Sequence, residues 1–433
     1  MFETFRNAWK IDDLRKRLLF TFLILVLFRL GCAIPVPYIT ASALSSMFAG
    51  GTGDMLEYLN MMSGGALSEC TIFALGVQPA INASIIMQLL AVAIPYLENL
   101  TKEGEEGQRK MRRITNYVGA GIGLMLSIGY YFIIRNMGAL KYTDGFAGIF
   151  TAVVIILAFT AGSQLCTWLG NQIDSKGIGN GISLLIFAGI VARWSSVYSA
   201  VTNIVGRAQN GEPQFYFFLP ALLVLALVAV IFVVVLTNAE RRIPVQYAKQ
   251  VRGTKMYGGQ SSVIPMKISG SGVMPLIFAF AIISFPSMIM SVVPAWSDAL
   301  NWWNQVFGSG TWIYVLVLTV LIFAFAFFYA QIQFNPEDVS RTIQQNGGFI
   351  QGIRPGKPTA QYLRKINNRI TLFGAIYLTL IAFIPSLIFS FVTVDLINVF
   401  STTGILIVVS VALEFDKQLQ SQIMMKNYKG FLK

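Results

Sequence analysis

The segment GIRPGKPT at positions 352–359 contains a Gly-Lys pair that resembles the phosphate-binding loop of ATPases. Such a loop needs an earlier glycine and a Ser or Thr directly after the lysine, because its backbone N–H groups hold the phosphates and the hydroxyl group holds Mg²⁺. Here Gln351 stands at the position of the first glycine and Pro358 at that of the hydroxyl residue. The sequence therefore excludes an ATPase site, and the energy for any work must come from elsewhere.

Other side chains that could do chemistry are sparse in the apolar parts of the chain. The sequence has no histidine, and nearly all of its 20 acidic residues lie in loops or at the ends of apolar runs. Ion-coupled carriers and pumps usually place ionisable residues at the membrane midplane. Arg29 is the exception, and we expect it either to face the interior of a helix bundle or to extend toward the outer surface, with a structural or a transport role. This pattern disfavours a coupled solute carrier and indicates no enzyme.

The three cysteines, Cys32, Cys70 and Cys166, lie in or beside apolar segments. Their number is odd, so they cannot all pair within the chain. Cysteine without a partner behaves as a small apolar residue. We therefore expect buried core residues and not a disulfide framework, and the sequence predicts neither a metal site nor a cofactor.

Ten apolar runs define the elements that must position any functional residue. The chain is 55% hydrophobic and 12% charged, and a span needs roughly 20 apolar residues to cross about 30 Å of hydrocarbon. Runs near this length lie at about 18–38, 71–97, 114–137, 149–170, 181–205, 216–237, 271–294, 311–334, 370–391 and 396–413. The sequence therefore predicts an all-α polytopic membrane protein with ten transmembrane helices.

The basic residues are distributed unequally between the two sides of these runs. Of the 32 Lys and Arg residues, 27 lie in six segments: 1–17, 98–113, 171–180, 239–269, 335–369 and 414–433. Basic residues are retained on the cytoplasmic side of a membrane. We therefore expect a multi-pass membrane protein with both termini in the cytoplasm.

The ten runs divide into two halves near residue 210, where the polar stretch Arg207–Pro213 separates the fifth run from the sixth. Because five is odd, the second half enters the membrane from the opposite side, as in an inverted-topology repeat. The predicted organisation is an amphipathic N-terminal segment, two halves and a C-terminal tail. Their ranges are 1–17, 18–210, 211–413 and 414–433.

The second and seventh runs contain the residues that most disturb helical geometry. Pro79, Asn82 and Gln88 lie in the second run, and Gly272 and Pro275 lie in the seventh. Runs interrupted by Gly or Pro at corresponding positions of two halves indicate a transport pathway. The alternative is that these residues only serve helix packing, which is common in membrane bundles.

The segment MLEYLNMMSGGALSE at 55–69 is apolar but too short to cross the membrane. Its centre, Ser63 to Ala66, contains two glycines that permit sharp bends and close backbone packing. A re-entrant element is tolerated at membrane depth only if it is buried in protein or lines a cavity. The sequence leaves open whether this segment re-enters the bundle or lies on its outer face as a loop.

Two long basic segments, 239–268 and 335–369, exceed what a plain connection between spans needs. In the first, Val245, Tyr247 and Val251 precede a turn, and further apolar residues follow it on the returning strand. This pattern predicts a β-hairpin with a basic tip. The second begins with Asn335 as a helix cap and Pro336 at the first helical position. Arginine at such tips can bind phosphate or carboxylate, so we predict docking surfaces here, and attraction to anionic lipids at 98–113 and 414–433.

Taken together, the residues resemble the bacterial SecY family, the main channel subunit of the Sec protein translocon. The similarity covers essentially the whole chain. It rests on ALGVQPAINASIIMQLL (74–90), GIGNGISLLIFAGIVA (177–192), RRIPVQYAK (241–249), and NPEDV followed by GGFIQGIRPGKPT (347–359). Asn82 departs from the family, in which small hydroxyl residues are common at this position, and this difference bears on the polarity of the gate described next.

The resemblance implies a protein-conducting channel for the secretion of unfolded preproteins and the lateral insertion of membrane proteins. It implies a ring of isoleucines at the waist: Ile81, Ile85, Ile182, Ile186, Ile277 and Ile407. It identifies 55–69 as the plug segment, centred on Met61, Met62, Ser63, Gly64, Gly65, Ala66 and Leu67. It also places the lateral gate between spans 2 and 3 on one side and spans 7 and 8 on the other, with Pro79, Asn82, Gln88, Gly272 and Pro275.

The resemblance further implies partners. The motor ATPase SecA and the ribosome would dock on Arg241, Arg242, Lys249, Arg252, Lys255, Arg354 and Lys357. The small membrane subunits SecE and SecG, signal sequences, unfolded preproteins and anionic lipids complete the expected partners.

Two other functions stay open from the residues alone. An inverted-repeat secondary transporter of a small solute would need a polar substrate site at the midplane and would depend on ions. A lipid-handling scaffold would use the basic segments only to associate with the membrane, which does not explain their ordered tips.

Overall fold

The computed structural model describes most of the chain. The described residues are 2–40, 60, 63–136, 138–192, 198, 201–202, 205–206, 209, 214–247, 250–252, 255–257, 261–268, 274–292, 296–307, 311–390 and 402–430. Among the predicted site residues, Met61, Met62, Lys249 and Gly272 lie outside this part. Every structural statement below concerns the described residues.

Helices dominate the fold, and five short strands lie outside the apolar runs. The helices are α1 (Phe2–Trp9), α2 (Asp12–Gly31), α3 (Gln78–Ala93), α4 (Pro95–Lys102), α5 (Glu105–Asn136), α6 (Gly145–Lys176), α7 (Gly181–Ala192), α8 (Gln214–Asn238), α9 (Met274–Val292), α10 (Ser297–Phe307), α11 (Trp312–Gln333), α12 (Pro336–Gln345), α13 (Lys357–Ser390) and α14 (Thr402–Gly430). The strands are β1 (Glu240–Tyr247), β2 (Gln250–Arg252), β3 (Lys255–Tyr257), β4 (Ser261–Lys267) and β5 (Gly348–Phe349). Each of the ten apolar runs contains a helix, as the sequence predicts.

Several of these helices are long and apolar enough to cross a membrane. Within the described part of the chain, three meet this condition alone: Glu105–Arg135, Gly145–Lys176 and Trp312–Gln345. A fourth span is possible if Gln78–Ala93 and Pro95–Thr101, which meet at 108°, count together. Shorter apolar helices occur at Gly181–Ala192, Ala226–Asn238 and Met274–Ile283. The division into inverted halves stays a prediction.

The second run is not one continuous helix. Residues 71–77 form turns, and α3 begins only at Gln78, with Pro79 in its first turn, where the missing N–H of proline is harmless. At the other end Ile94 is extended, because the residue before a proline is disfavoured in the helical conformation. The predicted span 71–97 is therefore too long at both ends.

Much of the basic sequence that we expected in loops is helical. Helix α5 begins at Glu105, where Glu105 pairs with Arg109 at 3.6 Å and Glu106 pairs with Lys110 at 3.4 Å. Pairs four residues apart stabilise a helical turn. Helix α13 likewise begins at Lys357, and α14 continues to Gly430. Charged turns therefore extend three of the apolar helices instead of ending them.

The predicted hairpin is present in the first basic segment. Strand β1 pairs antiparallel with β4, from Glu240 opposite Lys267 to Gln246 opposite Ser261. The short pair β2 and β3 continues it toward the basic tip, with Arg252 opposite Lys255.

The two basic segments share one fold, which the sequence analysis did not predict. Strand β5, from the second segment, adds to the free edge of β1 through Gln246 and Tyr247. Beneath the sheet lies a common core made of Ile243, Val245, Met266, Ile343, Ile350, Leu363 and Ile366. Residues 239–268 and 335–369 therefore form one unit, which we call the basic platform.

The two ends of the chain meet. Helix α1 packs against α14, where the rings of Phe5 and Phe415 are 6.0 Å apart and Ala8 and Leu419 are buried in one small core. Lys426 forms an ion pair with Asp13, and its hydrogen bond and charge hold the pKa of that carboxyl below the usual value. The N-terminal segment therefore packs against helix α14 of the same chain and also has an amphipathic face.

We predict that Val245→Ala loosens both halves of the basic platform together. Val245 is fully buried in the shared core, and losing two methyl groups from such a site costs about 2 kcal/mol. Limited proteolysis should then cleave 239–268 and 335–369 faster and at similar rates. Val263 on the paired strand is 46% exposed, so Val263→Ala serves as the control and should leave both rates unchanged. Faster cleavage of only one segment would contradict a shared core.

Candidate functional site

The six isoleucines singled out in the sequence meet in one apolar cluster at the centre of the bundle. Two come from α3 and two from α7, each pair four residues apart and therefore on one face of its helix. Helices α9 and α14 contribute one each. The buried members are Ile81, Ile85, Ile186, Ile277 and Ile407, and Ile182 is partly buried and packs against them.

A tight turn before α7 positions two of these isoleucines. The carboxylate Oδ1 of Asp174 accepts a hydrogen bond from the backbone N–H of Gly181 at 2.7 Å, and Oδ1 of Asn180 accepts one from Ser183 at 3.1 Å. Side chains that satisfy free N–H groups in this way stabilise the start of a helix. A Cβ atom on Gly181 would lie 2.0 Å from the carbonyl oxygen of Gly170. Helices α6 and α7 therefore cross in direct backbone contact.

The same turn is attached to the first long helix. The hydroxyl oxygen of Thr21 on α2 accepts a hydrogen bond from the backbone N–H of Ile178 at 3.1 Å. A Cβ atom on Gly177 would lie 2.6 Å from that oxygen. The family resemblance includes GIGNG at 177–181 but does not predict this positioning role, for which the density of glycines was a usable signal.

A cavity of about 470 Å³ lies on one side of the isoleucine cluster. Its walls include three cluster members, Ile186, Ile277 and Ile407, together with Asn180, Ser183, Thr237, Lys267, Met274, Tyr329, Gln333, Ser410, Val411, Glu414, Lys417, Gln418 and Ser421. Lys267 ends the β4 strand of the basic platform, so the cavity lies between the cluster and the platform. Burial and the charge of Lys267 lower the pKa of Lys417, whose Nζ donates to the Thr237 carbonyl at 3.2 Å.

Much of the described part of the segment 55–69 is buried in the bundle, although Glu69 is exposed. Ser63, Ala66 and Leu67 are each at most 3% exposed. Asn60 shapes the turn, because its carbonyl accepts from Gly65 N at 2.8 Å and its side-chain Oδ1 accepts from Ser68 N at 3.0 Å. This burial agrees with a re-entrant element better than with a loop on the outer face.

Contacts with several helices hold this segment. Ala66 belongs to the same apolar cluster as Ile81 and Ile85. The hydroxyl group of Tyr130 on α5 donates to the Leu67 carbonyl at 2.6 Å. Gly64 and Gly65 both have positive φ angles, and Gly64 lies against α7. The segment therefore sits directly beside the isoleucine cluster.

The residues predicted for a gate lie where α3 packs against α5 and α9. Pro79, Asn82 and Pro275 are buried, and Gln88 is half-buried. Gln88 donates from Nε2 to the Ser84 hydroxyl at 3.3 Å. The side-chain oxygens of Gln78, Asn82 and Gln88 are buried without a hydrogen-bond partner in the described part of the chain. Helix α3 thus carries polar groups that its present packing does not satisfy.

Two of the predicted docking arginines lie on the platform surface. Arg241 and Arg242 are exposed on β1, and Arg242 pairs with Glu240 at 2.8 Å. Arg252 and Lys255 face each other across the short β2–β3 pair.

The turn of the second segment presents Arg354 and Lys357, which are both exposed. Two hydrogen bonds hold its backbone: Ser340 donates to the Gly356 carbonyl at 2.7 Å, and Thr359 donates to the Arg354 carbonyl at 2.8 Å. Both basic side chains therefore project from a fixed turn on a rigid core.

No group of three or more His, Cys, Asp or Glu side chains that could hold a metal ion occurs among the described residues. Cys32, Cys70 and Cys166 are free thiols and buried. Among the described residues, the site brings six isoleucines into one apolar cluster that borders a cavity and contains Ala66 of the buried turn.

The chain is similar to known proteins over its full length. The family model described as SecY matches residues 71–415. The protein translocase subunit SecY of Mycobacterium bovis is 39% identical over 450 residues, with 100% of both chains covered.

Two solved structures have a similar fold. One is a SecY structure in which the plug domain stabilises the closed state of the translocation channel and maintains a membrane seal. Its TM-score is 0.66 at 18% sequence identity, and the match covers 94% of this chain and 92% of that one. The other is Sec61 in the canine ribosome-channel complex from the endoplasmic reticulum, with a TM-score of 0.60, 16% identity and coverage of 94% and 92%.

We predict that Gly181→Ala lowers the thermal unfolding midpoint of the detergent-solubilised protein. Its methyl group would collide with the Gly170 carbonyl and force α6 and α7 apart, and overpacking of this kind typically costs about 1–3 kcal/mol. Gly121→Ala in α5 is the control, because no atom lies within 4 Å of the added Cβ. Alanine there should hold or raise the midpoint, since it favours helix. Equal midpoints for the two variants would contradict the close crossing.

Proposed function

Because this chain belongs to the SecY family, we propose how its parts carry polypeptides across and into a membrane. The chain is a protein-conducting channel, a membrane subunit of a protein translocase. The 39% sequence identity to a protein translocase subunit over the whole length favours this function over that of a secondary transporter of a small solute. We infer that it has no catalytic site of its own.

The six central isoleucines are the seal of the resting channel in this proposal. The supporting observation is that they belong to one apolar cluster, which borders the cavity and includes Ala66 of the segment 55–69. Apolar side chains can exclude water from a narrow constriction and thereby stop ions. Branching at Cβ keeps isoleucine stiff, and the side chain offers a passing polypeptide no hydrogen bond that would retain it.

The lateral gate opens where α3 and α5 meet α9 and α11 in this proposal. The closed interface leaves the side-chain oxygens of Asn82 and Gln88 buried and unsatisfied. A buried acceptor without a partner costs about 1–3 kcal/mol. Separation of α3 from α9 would expose these groups to water or to a polypeptide backbone and recover part of that cost. Polar residues on α3 therefore lower the free energy of opening.

The basic platform receives the partner that supplies energy. Its shared core fixes the positions of Arg241, Arg354 and Lys357 relative to one another, so a partner meets a preformed surface. Arg252 and Lys255 lie on the neighbouring β2–β3 pair. We propose the ribosome and the motor ATPase SecA as the two partners, and the small subunits SecE and SecG as membrane neighbours. The fold is shared with a channel solved in a ribosome complex, which supports the ribosome.

We propose that the channel lies in the bacterial plasma membrane with both termini in the cytoplasm. The distribution of basic residues supports this orientation. The contact between α1 and α14 keeps the two ends of the chain together on one side. The basic turns at 98–113 and 414–433 bind anionic lipid headgroups.

Ile186→Ser should raise the ion leak of resting channels reconstituted in vesicles by about tenfold or more. A hydroxyl group in the constriction gives water a partner and removes the dewetting barrier. Ile149→Ser on α6 is the matched control, because Ile149 is 66% exposed whereas Ile186 is 1% exposed. The leak is measured as halide efflux in the absence of any motor or substrate. An unchanged leak in the Ile186 variant would remove this residue from the seal.

Arg354→Glu should reduce motor-driven import of an unfolded secretory protein into vesicles by about tenfold or more. The substitution places a like charge against the acidic or phosphate groups that a basic tip attracts. Channel assembly and the resting leak should stay at wild-type values, because the side chain is exposed.

Arg341→Glu on α12 makes the same charge change on the same platform and should reduce import less than threefold. If both variants import equally well, the platform does not dock the motor through Arg354. If wild-type channels with SecA and the small subunits import nothing, the channel function itself is refuted.

A further inference from the structure

Arg29 is a charged residue near the end of the apolar helix α2, and the channel mechanism above does not use it. Its Nη1 atom donates a hydrogen bond to the carbonyl oxygen of Gly64 at 3.2 Å, across 35 residues of sequence. Ionisable residues within spans are costly and are retained for a purpose. The partner of this one lies in the segment 55–69.

Gly64 is held at a point where three parts of the protein meet. Its φ angle is +71°, and a Cβ atom would lie 2.8 Å from Cα of Gly189 on α7 and 3.1 Å from Nη1 of Arg29. Helix α7 also carries Ile182 and Ile186. Gly64 therefore contacts α2 through its carbonyl oxygen and also lies against α7, the helix that contributes two residues of the central cluster.

A second contact lies beside the first. The thiol of Cys32, directly after α2, is 3.9 Å from the Ser63 carbonyl. Cys32 is 5% exposed beneath the turn. The end of α2 thus contacts two successive carbonyls of the segment 55–69.

We propose that Arg29 is the positioning residue that latches the segment 55–69 in the resting channel. Displacement of the segment leaves the Arg29 guanidinium group without this carbonyl partner, and the loss of a hydrogen bond from a charged donor costs more than the loss of one from a neutral donor. The latch therefore favours the closed state.

Exchange of this hydrogen bond also releases the segment 55–69. A polypeptide in the channel presents a backbone carbonyl at every residue, and any of these can accept from Arg29 in place of Gly64. The Arg29 side chain is exposed on one side, so it can exchange partners. Substrate thereby offsets the cost of moving the segment, and the latch responds to the presence of a chain.

This inference rests on the proposed function, because it assumes that the segment 55–69 closes the channel. The test compares Arg29→Met, which keeps length and removes the donors, with Arg29→Lys, which keeps the charge. Two readouts are used in vesicles that also import a secretory protein: resting halide leak, and labelling of native Cys32 by a membrane-impermeant maleimide. Cys166, which is fully buried, reports general unfolding.

We expect Arg29→Met to raise the leak and the Cys32 labelling rate by about tenfold, the usual effect of losing a hydrogen bond to a charged group. Arg29→Lys should give a smaller increase, and Cys166 labelling should not change. Arg135→Met removes an arginine from the end of α5 and should match wild type.

Gly64→Ala and Gly65→Ala form a second, independent pair. Both positions have positive φ, but only Gly64 has atoms within 4 Å of the added Cβ. Gly64→Ala should raise the leak more than Gly65→Ala, and should add little to Arg29→Met, because both changes break one contact.

Wild-type leak and Cys32 labelling in an Arg29→Met channel that still imports protein would overturn the latch. An equal rise at Cys166 and Cys32 would also overturn it, since the variant would then have loosened the whole bundle. Failure of wild-type import would refute the channel function instead, while Cys32 labelling would still decide whether Arg29 holds the segment.

Discussion

The rest of the structure depends on the packing of isoleucines from α3, α7, α9 and α14 into one dry cluster. In the proposed function this cluster excludes water from the resting channel and yields to a passing polypeptide. Apolar contacts are individually weak and have no preferred direction, so the cluster cannot hold its own helices in place. The anchoring contacts therefore lie outside it, where backbone meets backbone and where polar groups are satisfied.

Those anchors are concentrated on α7 and around the segment 55–69. Helix α7 is fixed by its backbone contact with Gly170 and by the hydrogen bond between Ile178 and Thr21. The segment is held by Tyr130 from α5 and by Arg29 from α2. Helix α3 differs, because its polar side chains at Gln78 and Asn82 lack partners in the described residues. One side of the bundle is thus held by polar anchors, whereas the packing of α3 leaves buried side-chain oxygens unsatisfied among the described residues.

Local sequence signals predicted many elements correctly. Asn335 accepts from the backbone N–H of Glu337 at 3.1 Å, as expected of a cap before Pro336. The hairpin between β1 and β4 follows from alternating apolar residues around a turn. The errors were local as well: the second run was predicted to be helical from residue 71, but α3 begins at Gln78, and basic turns expected in loops belong to α5, α13 and α14. Hydropathy reports burial in lipid, whereas helix ends follow from capping and charge pairs.

The sequence by itself determined the ten apolar runs, the side on which basic residues gather and the family, because hydropathy, charge and motif spacing are properties of neighbouring residues. Only the tertiary structure decided that two basic segments share one core, that Gly181 lies against Gly170 and that Arg29 reaches Gly64. These contacts join different elements of the fold, and one that anchors α7, the hydrogen bond between Thr21 and Ile178, spans 157 positions of the chain. No local pattern specifies such a partner, since it is chosen by the packing of whole helices, which depends on every face at once.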